Sequence, residues 1–165
     1  MRATSYNPTG LEAIDQNGPQ LLFAEHHRSL RRAAEDLMAR AHEDDCFSLV
    51  AEFRAFEKQI LEHVQAEEDI VLPAYAVAFP EEAAEIRRGH AAIRKQLEQT
   101  ALDCELHSIR IEAIRDLLAK LEDHAKYEDQ TMYPWAQVHL PVASRNAIGT
   151  ILRTSIRKLA DFVNG

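Results

Sequence analysis

Residues 61–75 read LEHVQAEEDIVLPAY, and residues 121–136 read LEDHAKYEDQTMYPWA. Each stretch sets a histidine four residues before a glutamate, with a proline six residues after the glutamate. His63, Glu67 and Pro73 recur as His124, Glu128 and Pro134, every member displaced by 61 residues. Four residues are about one helical turn, so each His–Glu pair shares one helix face. Proline cannot continue a helix undisturbed, so Pro73 and Pro134 are expected to bend or stop their helices about two turns past these pairs. The repeat reads as two helical hairpins of one design.

Working outward, apolar spacing continues the pattern. Residues 1–18 carry Pro8, Gly10 and Gly18 and read as an irregular leader, and Pro19 suits the first turn of a helix. Phe23, His27, Leu30, Ala34, Leu37 and Ala41 then recur at intervals of three and four until HEDD at 42–45 interrupts them. From about Phe47 a second stripe carries Leu49, Phe53, Phe56, Ile60, His63, Glu67 and Ile70. Pro80, with Glu81 and Glu82 in the first turn, starts a third stripe of Ala83, Ile86, His90, Ile93, Leu97 and Thr100. Ser108 suits the cap of a fourth, which carries Ile114, Leu117, Leu121, His124, Glu128 and Thr131. After Pro141, Ser144 suits the cap of a short fifth helix through about Phe162.

The expected fold is all-α: an antiparallel up-down-up-down four-helix bundle over 19–140, with the short C-terminal helix of 141–165 packed on it. Only 5 glycines in 165 residues agree with a helical chain of one domain. The net charge of −8 argues against non-specific nucleic-acid binding, and no apolar run suits a membrane span. Two distant cysteines, Cys46 and Cys104, give no disulfide framework, so a cytoplasmic protein is expected. The leader and the mildly basic fifth helix are the candidate surfaces for a protein partner.

Each main helix thus carries a histidine on its inner stripe. Counted from the turns, His27 and His63 lie 15 and 16 residues from their shared corner, a travel of about 22–24 Å at 1.5 Å per residue. His63 precedes Pro73 by 10 residues, and His90 follows Pro80 by 10. Folded up and down, the chain brings His27, His63, His90 and His124 to one level, with Glu67 and Glu128 a turn away. Four imidazoles and two carboxylates facing inward suit a dinuclear metal site, each ion taking two histidines and both glutamates bridging. Iron suits this set best; manganese or zinc also fit the ligand types.

The order His27 … His63-x-x-x-Glu67 … His90 … His124-x-x-x-Glu128, with trailing LP and YP, resembles the hemerythrin-like (HHE cation-binding) domains over residues 19–140. The resemblance implies a bundle around two non-haem iron ions with an oxo or hydroxo bridge. His27 and His63 would hold one iron, His90 and His124 the other, and Glu67 and Glu128 would bridge. It also implies a small-molecule oxidant (O2, peroxide or NO) as partner, either turned over by a peroxide-decomposing or NO-handling enzyme or read by an iron- or oxygen-sensing module. One departure stands out. Oxygen-carrying members have a further histidine one turn after the third-helix ligand, where this chain has Arg94.

The remaining candidates read more plainly. His26 flanks the stripe that His27 occupies. Arg94 reads equally as a surface arginine or as a cation at the pocket mouth. Glu68 and Asp129 are expected to face solvent, Tyr127 to pack on the flank, and Cys104 to lie in the core. His42, His107 and His139 fall near helix ends.

Overall fold

A computed structural model describes residues 19–40, 46–106 and 111–164. The leader 1–18, His42, His107 and the Ser108 cap lie outside the described residues. Helices α1 (Pro19–Arg40), α2 (Cys46–Ala66), α3 (Leu72–Ala78), α4 (Pro80–Glu105), α5 (Ile111–Gln130), α6 (Met132–His139) and α7 (Val142–Asn164) follow one another, and the described residues include no strand. The all-helical class is as expected. Among the described residues no helix is long and apolar enough to cross a membrane.

Side-chain contacts give the directions. Between α1 and α2, His27 meets His63 while Arg40 meets Glu52. Between α2 and α4, Glu67 meets His90 while Arg54 meets Glu105. His90 meets His124 while Gln96 meets Lys120, and His27 meets Glu128 while Arg31 meets Glu122. Numbers rise on one helix as they fall on its neighbour in all four pairs. The rods α1, α2–α3, α4 and α5–α6 therefore form an antiparallel ring.

Of the two effects expected of the prolines, bending or stopping, the second does not occur. Neither stops its rod: Pro73 lies inside α3 and Pro134 inside α6, and helix runs on to Ala78 and His139. The disturbance comes earlier, directly after each glutamate. Glu67–Val71 forms a π-turn in which the Leu72 N–H donates to the Glu67 carbonyl, and Thr131 separates α5 from α6 with φ −119° and ψ −72°, its N–H shared between the Tyr127 and Glu128 carbonyls. Proline lacks an N–H and crowds the preceding turn, so the backbone upstream must re-pair, and a π-turn is one way to do so.

The fifth helix is not short. At 23 residues α7 is longer than α1, and it begins at Val142, so Ser144 lies within its first turn rather than capping it. Its inner face buries Ile148, Leu152, Ser155 and Leu159. Leu22 lies beside Gly149 and His26 beside Ser155, so α7 runs along α1 in the same direction. Its basic residues are partly engaged, with Lys158 paired to Glu62 at 3.1 Å.

The core is two apolar clusters. The upper one centres on Leu30, Leu37, Phe53, Phe56, Ile60, Leu97 and Leu117, and includes Cys104. Burial pushes the Cys104 thiol up to about 11, which makes it an inert filler. The lower cluster centres on Phe23, Leu72, Tyr75, Ile86, Met132, Tyr133 and Ile148. Between the two lies a layer of histidines and carboxylates.

Candidate metal centre

Stripe periodicity delivers the six expected residues to that layer. His90, Glu67 and Glu128 are fully buried, His63 nearly so, and His27 and His124 are 13% and 12% exposed. The Nε2 atoms of His27 and His63 lie 3.1 Å apart. Glu128 Oε1 lies 2.9 Å from His124 Nε2 and 3.2 Å from His90 Nε2, while its Oε2 faces His27 Nε2 at 3.8 Å. Glu67 mirrors it, with Oε1 3.4 Å from His63 Nε2 and Oε2 3.2 Å from His90 Nε2. Each carboxylate thus presents one oxygen to each histidine pair.

Two groups have donor atoms close enough to share an ion: His27, His63 and Glu128, and His90, His124 and Glu128. Donors at right angles around an ion about 2.1 Å away stand about 3.0 Å apart. Most of the separations above are close to that. Several buried atoms of the layer make no well-aligned hydrogen bond: the Nδ1 atoms of His27 and His63, and His124 Nε2 and Glu67 Oε2, which have only their ion-pair contacts to Glu128 and His90. Each such orphan costs about 1–3 kcal/mol. A cation facing Nε2 and the carboxylate oxygens would give His124 Nε2 and Glu67 Oε2 a partner, which removes part of that penalty. The donor set fits a pair of metal ions.

The surroundings hold features that stripe reasoning missed. Glu68 does not face solvent freely. Its Oε1 accepts from His90 Nδ1 at 2.9 Å, and Arg94 donates to both its oxygens at 2.9 and 2.7 Å. Arg94 is therefore neither a loose surface arginine nor a free cation at the pocket mouth. It clamps the carboxylate that fixes the His90 tautomer, leaving Nε2 toward the site, as partners of metal-binding histidines do.

His26 flanks the stripe and is fully buried. Ser155 donates to Gln59 Oε1 at 2.7 Å, so the serine oxygen accepts from His26 Nε2 at 2.7 Å. The His26 ring stacks flat on His63, centroids 4.6 Å apart. Tyr133, passed over in the sequence, lies against four of the candidate ligands. Its hydroxyl donates to Glu67 Oε1, and burial among two carboxylates pushes that phenol well above its usual range. Tyr127 packs against the lower cluster, as expected of a flank residue.

Close approach at one position needs glycine. A Cβ on Gly89 would fall against His124 Nδ1 and lie 2.7 Å from Cε1, so the missing side chain is what lets the His124 ring lie against α4. A cavity of about 40 Å³ lies over the layer, lined by His27, His63 and His124 together with Leu30, Ile60, Val64, Ile93 and Leu121. That is room for a water or a diatomic molecule, since one water needs about 10–15 Å³ of such space. Arg31 and Glu122, paired at 2.8 Å, also line it.

Electrostatics in the metal-free layer split the histidines. Burial lowers His26 to about 3 and His27 to about 4, and holds His63 well below 6.5. Burial also opposes charge on His90, but hydrogen bonds to Glu128 and Glu67 outweigh it and raise His90 to about 10. Burial and Glu128 push Glu67 above the usual carboxylate range. For Glu128 burial pushes the same way, but hydrogen bonds from His124 and His90 outweigh it and hold it below.

These shifts set a pH optimum for the metal-free protein. Below 6.5 the unfolded chain protonates three histidines that the fold keeps neutral, so stability falls with falling pH. Glu67, protonated in the fold, offsets one of the three between its unfolded 4.5 and its raised value. Two net protons at roughly 1.4 kcal/mol per proton per pH unit give a slope of roughly 3 kcal/mol per unit as an upper figure. Above 6.5 the sign reverses, because folded His90 keeps a proton until about 10. Melting temperature of chelated protein should therefore peak near pH 6.5–7, and a flat profile from pH 5 to 9 would contradict this charge assignment.

The family model described as Hemerythrin HHE cation binding domain matches residues 20–145. No curated protein and no solved structure matches the chain.

Proposed function

Because the chain belongs to the hemerythrin HHE cation-binding family, we propose that it is a non-haem di-iron protein that reacts with a small oxidant. The ligands in this reading are His27 and His63 on one ion, His90 and His124 on the other, and Glu67 and Glu128 across both, within a domain of residues 19–140. The observation that carries it is the pair of carboxylates whose two oxygens face different histidine pairs. Paired irons supply electrons to O2, peroxide or NO, which a single closed zinc site cannot do.

The chain's own part is positioning and access. Glu68 and Arg94 orient His90, the His26–Ser155–Gln59 chain supports the face of His63, and the apolar cavity admits a small molecule while excluding larger solutes. Arg94 stands one turn from His90 and, being a guanidinium tied to Glu68, gives no donor to the layer. An ion held by His90 and His124 would therefore keep exchangeable positions. That favours reaction over stable carriage of O2.

Protein expressed with ample iron should contain two iron atoms per chain. The reduced protein, mixed with O2 in stopped flow, should be oxidised, and evacuation should not return it to the reduced state. Added peroxide should be decomposed over repeated cycles. One zinc per chain would sink the metal assignment. Reversible O2 uptake, with the reduced spectrum recovered under vacuum, would make the protein a carrier or sensor instead.

A further inference from the structure

Tyr133 lies fully buried and stacked on Phe23, ring centroids 3.9 Å apart and planes 7° from parallel. Its hydroxyl oxygen is 3.3 Å from His27 Nε2, 3.4 Å from His63 Nε2 and 3.2 Å from Glu128 Oε2, besides its contact with Glu67 Oε1. A phenol has one proton to give, yet two ring nitrogens and two carboxylate oxygens surround it. One donated hydrogen bond accounts for Glu67 alone. The other three separations are close to those of donors sharing an ion, about 3.0 Å at right angles.

The chain places Tyr133 there by a local device. On an uninterrupted helix a residue five positions after Glu128 points about 140° away from it. Here α5 ends at Gln130, Thr131 is drawn to φ −119° with its N–H shared between the Tyr127 and Glu128 carbonyls, and α6 restarts at Met132. That break brings Tyr133 back to the side Glu128 faces. Without the break the phenol would point away from the layer.

We propose that Tyr133 is a metal ligand, a fifth donor to the ion held by His27 and His63. This rests on the di-iron reading above. As the bond from its oxygen to the ion forms, the phenol O–H bond breaks and the proton leaves to solvent. A bound cation favours that loss, as it does for coordinated water and thiols. The two ions are then unequal. One has two imidazoles, two carboxylate oxygens and a phenolate; the other has two imidazoles and two carboxylate oxygens. Open positions for external ligands are then at the second, whose His124 lines the cavity.

The test is spectroscopic. Iron-loaded, oxidised protein is assayed for iron per chain, then for visible absorption and resonance Raman scattering, with and without ring-deuterated tyrosine. Expected is a phenolate-to-iron charge-transfer band in the visible, with enhanced ring modes that shift on deuteration. Tyr133→Phe should lose the band, whereas Tyr127→Phe should keep it. Should Tyr133→Phe fail to load iron, the deuterium shift in the unsubstituted protein still decides. Two irons per chain with no tyrosine modes would overturn the ligand role and leave the di-iron reading standing. Fewer than two irons would overturn both.

Discussion

Glu128→Ala should lose nearly all bound metal, more than any single histidine substitution. Its Oε1 stands 2.9 and 3.2 Å from the Nε2 atoms of His124 and His90, and its Oε2 faces His27 and lies 3.2 Å from the Tyr133 hydroxyl. A histidine serves one ion; this carboxylate faces both histidine pairs. Losing even an outer partner of a metal ligand costs 10–100-fold in affinity, so loss of a shared ligand should exceed roughly 100-fold at each ion. Glu128→Gln keeps the shape without the charge and should fail almost as badly. The variant also strips His90 of its strongest stabilising hydrogen bond, so His90 should titrate well below about 10 in the metal-free protein. Metal per chain after gel filtration is the measurement. Two full equivalents in Glu128→Ala would remove the bridge from the account.

The second large effect is expected at a residue with no side chain. Gly89→Ala places a methyl against the His124 ring, with Cε1 2.7 Å and Cγ 3.4 Å from the new carbon. His124 cannot swing aside and keep Nε2 2.9 Å from Glu128 Oε1. Yet alanine is favoured over glycine within a helix by about 1 kcal/mol, and Gly89 lies well inside α4. The two effects separate cleanly. Chelated Gly89→Ala should melt no lower than the unsubstituted protein, while metal content falls from two ions toward one, the survivor held by His27 and His63. Unchanged loading would mean that the His124 ring has another pose compatible with binding.

What could be read from the sequence follows from how local each feature is. His63–Glu67 and His124–Glu128 declared themselves because one turn separates the partners and the whole pattern repeats. His27 and His90 followed from the same periodicity counted from the corners. Tyr133 did not, because a stripe continued through Thr131 turns it away from Glu128, and the break that redirects it shows only as Pro134 three residues later. Glu68 was misplaced for a related reason. One residue beyond Glu67 should point outward on an α-helix, but both residues lie in the π-turn Glu67–Val71, where the angular count no longer holds. His26 was assigned to the flank correctly but its environment was not legible, since Ser155 is 129 residues away and nothing local says that α7 lies over α1. Arg94 stayed ambiguous until its partner was known.

The spacing of the four histidines has a consequence for chain topology. The proposed ligands His27, His63, His90 and His124 are separated by 36, 27 and 34 residues (63 − 27, 90 − 63, 124 − 90). Ions that join them act as cross-links closing three loops, and by the chain-entropy account of such closures each restrains the unfolded chain by roughly 3–4 kcal/mol. The upper cluster, Leu30 to Leu117 with only Leu159 from elsewhere, lies inside those loops. Beyond the proposed ligand Tyr133, the lower cluster draws Leu22, Phe23, Ala136, Leu140, Ile148 and Leu152 from outside the loops the ions close. Metal therefore protects the two ends of the bundle unequally. Amide exchange in the loaded protein should reach α7 first, with the loops between the ligands opening only when the ions leave.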